Sequence, residues 1–344
     1  MRPTVDPRTA DSWADDYSQA CACLVAEFGT MIGHEGGNDL PVPDVRIEGD
    51  SMIANCAATL HAEQIQAPTR RRSMIMTLDR IVYSGLLGAP SRRMFGAHTV
   101  YVAHESPFEI AIDGEPRQRA WLAVVGANQV HEITSSDRLV RDILIEPEFA
   151  TLADLAPFDQ RGVCARTDEY LQLQQAYEAW LAGRDFTDAP VTELDRFFFG
   201  REFAPCALDA RIQRVVVRIR TSPNAQFSAA DCARLTGLSF SRFVHLFKQE
   251  IGMTFRAFCA WKPARAVLPS MTGPCNLTEL ALEAGYPDST HFSHSIRRIF
   301  GLRPRDILAG SRRLSLHCAD ADRAVWVPGL GTASPRHRSL SAGA

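Results

Sequence analysis

Ala233-Arg234-Leu235-Thr236-Gly237, followed by Phe243, His245, Phe247-Lys248 and Gly252, recurs downstream. The second copy is Ala281-Leu282-Glu283-Ala284-Gly285, followed by Phe292, His294, Ile296-Arg297 and Gly301. The offset is 48 residues up to the first glycine and 49 after it, so the second copy holds one extra residue in its turn. A repeat of this length, with the same small and apolar positions, marks two copies of one supersecondary unit.

Each copy reads as helix, tight turn, helix. Ser228-x-x-Asp231 and Asn276-x-x-Glu279 have the spacing of capping boxes that open a helix. Ala233 and Ala281 are small where a second helix crosses, and Gly237 and Gly285 stand where a left-handed residue ends the first helix. Ser239 and Asp288 then cap the following helix. Within it, Phe243, Leu246 and Phe247 form one buried face, as do Phe292 and Ile296 in the second copy. The opposite face carries Ser241, Arg242, His245 and Lys248 in one copy, and Ser289, Thr290, Ser293, His294 and Arg297 in the other. A basic, hydroxyl-rich helix face is what a DNA major groove accepts.

Gly285-Tyr-Pro-Asp288-Ser-Thr-His-Phe292-Ser, with Gly301-Leu-Arg-Pro304 after it, resembles the C-terminal signature of the AraC/XylS family of bacterial transcriptional regulators. Ala233 to Gly252 resembles that family's first helix-turn-helix, and the likeness runs from Arg211 to Ser311. The resemblance implies two helix-turn-helix motifs joined by a linker helix, entering successive major-groove segments about one helical turn apart. Carried over by position, the DNA-contacting residues are Ser241, Arg242, Val244, His245 and Lys248, then Ser289, Thr290, Ser293, His294 and Arg297. The implied partners are double-stranded DNA, RNA polymerase, a small-molecule effector and a second copy of the chain. Three positions depart from the family pattern. His294 replaces an arginine, Ile296 replaces a phenylalanine, and Pro263 interrupts the linker helix.

Charge follows the same division. Residues 207–313 hold 16 Lys and Arg against 7 Asp and Glu, whereas residues 1–206 hold 18 against 31. A basic block on an otherwise acidic chain is the electrostatic footprint of a nucleic-acid-binding module. At 344 residues the chain is long enough for two domains with separate cores. No apolar run approaches 18 residues and the start, Met1-Arg-Pro-Thr, lacks a signal peptide's apolar stretch, so a cytoplasmic protein with no membrane partner is expected. Nine scattered cysteines, with only Cys21-x-Cys23 close together, read as buried apolar residues rather than as disulfides or a metal site.

Upstream of the repeat the texture is different. Residues 1–45 read as an extension with a short helical pattern around Tyr17 to Phe28. From Val45 onward come short β-like runs: Ser51–Leu60, Ser73–Tyr83, Thr99–Ala103, Phe108–Asp113, Ala120–Val125 and Leu139–Ile145. Many short strands at this spacing predict a closed or double-sheet domain over 46–160. Gly114, Ala120-Trp-Leu-Ala-Val-Val and His131 resemble the second half of a cupin-type jelly roll, which implies a sensor with His131 and Trp121 as effector contacts. The rival reading is a metal-dependent cupin enzyme. It needs a His-x-His pair, a nearby glutamate and a distant third histidine, but His98, His104 and His131 have the wrong spacing. No G-x-S-x-G, P-loop or dinucleotide fingerprint occurs, so no enzyme, cofactor or metal is expected.

From Thr167 to Gly183 the pattern is helical, with Tyr170, Leu173, Tyr177, Trp180 and Leu181 on one apolar face. That face suits either packing on its own barrel or dimerisation, and residues 161–206 are expected to form a helical linker. The DNA-binding domain is expected over 207–313, and a disordered tail over 314–344. The expected fold class is therefore two-domain: an N-terminal all-β cupin-like (jelly-roll) sensor with flanking helices and a C-terminal all-α domain with two helix-turn-helix motifs.

Overall fold

Alternating and continuous apolar runs in the N-terminal half become short strands, because each run is too brief for a helix and is bounded by turn residues. The computed structural model describes residues 72–186, 189–272, 275–311 and 314–318, all within a unit spanning Ala67–Ala344. The expected extension, its helix at Tyr17–Phe28, the strand Ser51–Leu60, and Cys21 and Cys23 lie outside the described residues.

Nine strands come first: β1 Arg72–Met76, β2 Arg80–Leu86, β3 Arg92–Arg93, β4 His98–Val102, β5 Phe108–Ile112, β6 Gln118–Ala120, β7 Leu122–Val125, β8 His131–Thr134 and β9 Leu139–Ile145. Leu314–Cys318, at the far end of the chain, is β10. One sheet has the order β10-β1-β2-β9-β4-β7 and the other β3-β8-β5-β6, a double-sheet sandwich of jelly-roll type. Asp113 and Gly114, at φ 51° and 83°, are the central residues of a tight turn between β5 and β6, closed by Glu115 N–H on the Ile112 carbonyl at 2.9 Å.

Two expectations need correction. Ser73–Tyr83 is not one strand but β1 and β2, folded back at a turn in which the Thr77 hydroxyl accepts the Arg80 N–H at 3.0 Å. The tail does not begin as disorder at 314: β10 pairs parallel with β1, from Arg72↔Leu314 to Met76↔Cys318. Its alternation of Leu314, Leu316 and Cys318 with Ser315 and His317 suits a sheet edge, a signal masked by the Pro, Gly and Ser that follow.

Among the described residues the helices of seven or more residues are α1 Asp168–Leu181, α2 Val191–Phe199, α3 Ala210–Thr221, α4 Ala229–Thr236, α5 Phe240–Ile251, α6 Phe255–Ala266, α7 Leu277–Glu283, α8 Ser289–Phe300 and α9 Pro304–Ser311. The apolar face of α1 is covered by its own sandwich: Tyr170, Leu173, Tyr177 and Trp180 are buried, and the Tyr177 hydroxyl donates to the Asp142 carbonyl at 2.9 Å. That face is therefore packed within the chain itself.

The caps fall where the repeat places them. Side chains of Ser228, Ser239, Thr254, Asn276 and Asp288 each accept a backbone N–H from the first turn that follows. The capping boxes are only half formed; Asp231 is engaged by Arg234 instead of reaching back to Ser228. Helix α6 runs unbroken through Pro263, contrary to the expected interruption. Proline at this point removes only the bond to the Cys259 carbonyl, in a helix that ends three residues later.

Two cores result. The first motif has its own: Val215, Phe243, Phe247, Phe255 and Phe258 pack together from α3, α5 and α6. Phe243 and Phe247 are fully buried, which contributes about 1.5–3 kcal/mol each. The second motif does not have a separate core. Phe292, Ile296 and Phe300 of α8 belong to the same apolar cluster as the sandwich, as do Trp261, Ala264 and Ala266 of α6. Helix α6 thus belongs to both, its first half to one core and its second half to the other.

Candidate nucleic-acid interface and adjoining cavity

In α5 the burial of Phe243, Phe247 and Ile251 turns Ser241, Arg242, His245 and Lys248 outward, all exposed, with Val244 half-buried beside them. In α8 the burial of Phe292, Ile296 and Ile299 exposes Thr290, His294 and Arg297 and leaves Ser289 and Ser293 half-buried. All ten residues expected to face DNA therefore share the outer faces of two corresponding helices. The N-terminus of α8 is fixed by Asp288, which accepts the N–H groups of Thr290 and His291 at 2.8 Å each and pairs with His291 Nδ1 at 2.8 Å.

The linker helix α6 is held against the sandwich by a buried ionic cluster. Glu146, at the end of β9, accepts Trp261 Nε1 at 2.9 Å and pairs with Lys262 Nζ at 2.5 Å and Arg265 Nε at 2.8 Å. Glu148 takes Lys262 at 2.7 Å, and Arg265 also donates to the carbonyls of Thr77 and Arg80. Burial alone would raise the Glu146 carboxyl, but the charges of Lys262 and Arg265 more than offset it and hold it below the usual range. Above this cluster Phe95, Trp261 and Phe300 form an aromatic triad with centroids 5.7–6.2 Å apart. A Cβ on Gly96 would sit 2.2 Å from the Trp261 ring, and one on Gly301 would sit 2.8 Å from the Arg92 carbonyl oxygen. Met94 N–H completes the seam by donating to the Ile299 carbonyl at 2.9 Å.

Where the sandwich meets the end of α8 and α9 there is a cavity of about 410 Å³. Sandwich residues such as Leu87 and Leu144 form one wall, and Phe300, Leu302 and Ile307 form the other. Three charged groups interrupt this apolar lining, Arg93 and Asp142 on the sandwich side and Asp306 on the helical side. Arg93 is 5% exposed; it donates through Nη2 to the Leu87 carbonyl, while its Nε has no partner among the described residues. Burial pushes the Asp142 carboxyl up to about 7, the nearby Arg93 charge offsetting part of the rise.

Neither expected effector contact lines this cavity. His131 is buried, with Nδ1 3.2 Å from the Gln129 carbonyl and Nε2 2.7 Å from the Tyr101 hydroxyl. A carbonyl only accepts, so the proton sits on Nδ1 and Nε2 accepts from Tyr101. Burial lowers this imidazole to about 4, so it is neutral at pH 7. Trp121 is half-buried against the core away from the cavity, its Nε1 donating to the Cys164 carbonyl at 3.0 Å and its ring 4.3 Å from the Arg166 guanidinium. His98 spends Nδ1 on the Ala127 N–H at 3.1 Å. Among the described residues the one group with metal-ligand proximity is His104, Glu105 and Asp137, whose donor atoms lie within 4.8 Å. Asp137 is there committed to Ser135, Leu139 and Glu105. Sequence reasoning missed Arg93 and Asp142, which sit in short strands with no motif of their own.

A profile described as "Helix-turn-helix domain" matches residues 232–310, which contain both repeats. The chain carries a helix-turn-helix domain. Over 72 residues it is 32% identical to invasion protein InvF of Salmonella typhi, and equally to InvF of Salmonella typhimurium. Those matches cover 21% of this chain and 33% of each relative, so the chain spans about a third of the length of the curated relatives it matches. Among solved structures, ToxT from Vibrio cholerae O395 is similar at 11% identity and a TM-score of 0.47, covering 68% of this chain and 97% of that one. A transcriptional regulator from Chromobacterium violaceum with an AraC-type DNA-binding domain is similar at 20% identity and a TM-score of 0.28, over 30% of this chain and 92% of that one. Among the described residues, no helix is long and apolar enough to cross a membrane.

Proposed function

We propose that the protein is a cytoplasmic, sequence-specific DNA-binding transcriptional regulator of the AraC/XylS type, acting on promoter DNA with RNA polymerase. The observation that carries this reading is the pair of corresponding outward faces, on α5 and α8, presenting the same kinds of polar and basic side chains from a repeated unit. Arg and Lys contacts to phosphates supply most of the affinity, and side chains near the helix N-termini read bases. A homodimer, if formed, uses a surface other than the covered face of α1.

The sandwich acts as the sensor and the 410 Å³ cavity as its effector site. Apolar walls and a buried guanidinium with a spare N–H suit a small molecule with an apolar body and an anionic group. Because Phe300, Leu302 and Ile307 line the cavity, the ligand touches the second motif directly, and the first motif stands on its own core. Occupancy therefore changes how the second recognition helix is held relative to the first, a population shift between two arrangements.

The test is binding of the full chain to duplexes selected from a randomised library, with Arg242→Ala and Thr290→Ala as variants. Each substitution is expected to weaken binding about tenfold and to relax preference at one half-site only, following the ~1–3 kcal/mol of a base-reading contact. Unchanged affinity and preference in both variants refutes the assignment of the outward faces.

A further inference from the structure

Among their differences, the two recognition helices exchange apolar side chains for hydroxyls at two corresponding positions one turn apart. The register of the repeat sets Phe240 against Ser289 and Val244 against Ser293. Phe240 is the first residue of α5 and is 57% exposed, although the core face of that helix is already supplied by Phe243, Phe247 and Ile251. Val244 follows one turn later, so the two apolar side chains stack along one stripe of the helix. Both line an open hollow that also receives Ser241, His245, Lys248 and Arg256. Phe240 belongs to neither core and Val244 only packs at the edge of the first motif's, so apolar surface is left open to water among basic and hydroxyl side chains. Their neighbours match a nucleic-acid partner, with Lys248 and Arg256 placed for phosphates and Ser241 and His245 for base edges.

In the major groove the apolar feature is the 5-methyl group of thymine, and apolar side chains near a recognition-helix N-terminus contact it. We propose that Phe240 and Val244 read thymine methyl groups at the half-site bound by the first motif. The second motif has hydroxyls at the same positions and reads its half-site by hydrogen bonds. The inference rests on the DNA-binding reading above and adds to it an unequal chemistry between the two half-sites.

The test uses the full chain and duplexes enriched by that chain from a randomised library. In the enriched sequence, thymines of each half-site are replaced one at a time by deoxyuridine, which removes only the methyl. Losing a contacted methyl is expected to weaken wild-type binding roughly fourfold, the equivalent of one buried methylene. The effect is expected in the first half-site only. Phe240→Ala is expected to weaken binding to the thymine duplex and to become indifferent to at least one of those replacements. Val244→Ala does the same at a neighbouring position, and circular dichroism checks that both variants keep the wild-type helix content. Wild-type protein indifferent to every replacement overturns the proposal, and so do losses from variant and deoxyuridine that multiply independently. If the library yields no enriched duplex, the DNA-binding reading itself fails and this proposal fails with it.

Discussion

Replacing Glu146 by glutamine keeps the shape of the side chain and its ability to accept the Trp261 N–H, but deletes the charge that faces Lys262 and Arg265. In the native protein the carboxylate is 1% exposed and lies 2.5 Å and 2.8 Å from the two cations. Removing one member of a buried ionic cluster leaves charge uncompensated, which typically costs about 3–5 kcal/mol. Lys262 retains Glu148, and Arg265 retains two carbonyls, so the lower end, about 3 kcal/mol, is expected here. Equilibrium urea unfolding followed by tryptophan fluorescence suits the question, since Trp121, Trp180 and Trp261 all sit in or against the shared core. The exposed pair Arg92–Glu132, with side chains 72% and 34% accessible, is the internal control; Glu132→Gln is expected to cost no more than about 1 kcal/mol. The folded-state pKa of Glu146 is depressed, so its contribution is fully present above the ordinary value of 4.5 and fades as pH falls through the folded value. The gap between wild type and Glu146→Gln is therefore constant from pH 5 to 8 and narrows only in stronger acid. A Glu146→Gln protein within about 0.5 kcal/mol of wild type at pH 7 refutes the view that this cluster holds the linker helix to the sandwich.

Asp142 has the opposite sign: its folded pKa, about 7, lies above the unfolded value, so the stability it confers is full below pH 4 and is lost as pH rises through 7. Asp142→Asn is expected to remove that pH dependence, raising stability at pH 8 relative to wild type, as measured by thermal unfolding at a series of pH values. Arg93→Met is expected to abolish the stabilisation that apolar carboxylates give the wild type in a thermal-shift screen while leaving DNA affinity intact; equal stabilisation of both proteins counts against the cavity as their site. Pro263→Leu restores a donor to the Cys259 carbonyl and is expected to stabilise the chain by up to about 3 kcal/mol in urea unfolding. It is also expected to alter the DNA footprint or the degree of DNA bending, because α6 joins the two cores at that point.

Much of the C-terminal half was legible because its constraints are local. Cap side chains such as Ser239 and Asp288, and helix-ending glycines such as Gly237 and Gly301, act within one turn of themselves, and the 48-residue repeat exposes them twice. The sandwich was partly legible. Apolar runs located β4, β5, β7 and β9, whereas the turn at Thr77–Asp79 has no glycine or proline and merged two strands into one. What sequence did not reveal is long-range. Glu146 and Lys262 are 116 residues apart, and nothing near either one announces the other. The same holds for β10, whose partner β1 lies more than 200 positions away, and for the shared core, which looks like two separate cores when only local pattern is read. Arg93 and Asp142 become a candidate site only when folding brings their strands to one cavity wall. His131 attracted notice as an isolated histidine, yet Tyr101 and Gln129 account for both of its nitrogens.

A footprint of the full-length protein on a DNA duplex it selects tests the central claim most directly. Two protected major-groove segments are expected, about 10 base pairs apart on one face of the helix, with protection of one lost in Arg242→Ala and of the other in Thr290→Ala. Protection is also expected to fall steeply between low and physiological salt as phosphate contacts release counterions. A single protected segment, or two that respond identically to both substitutions, contradicts the account.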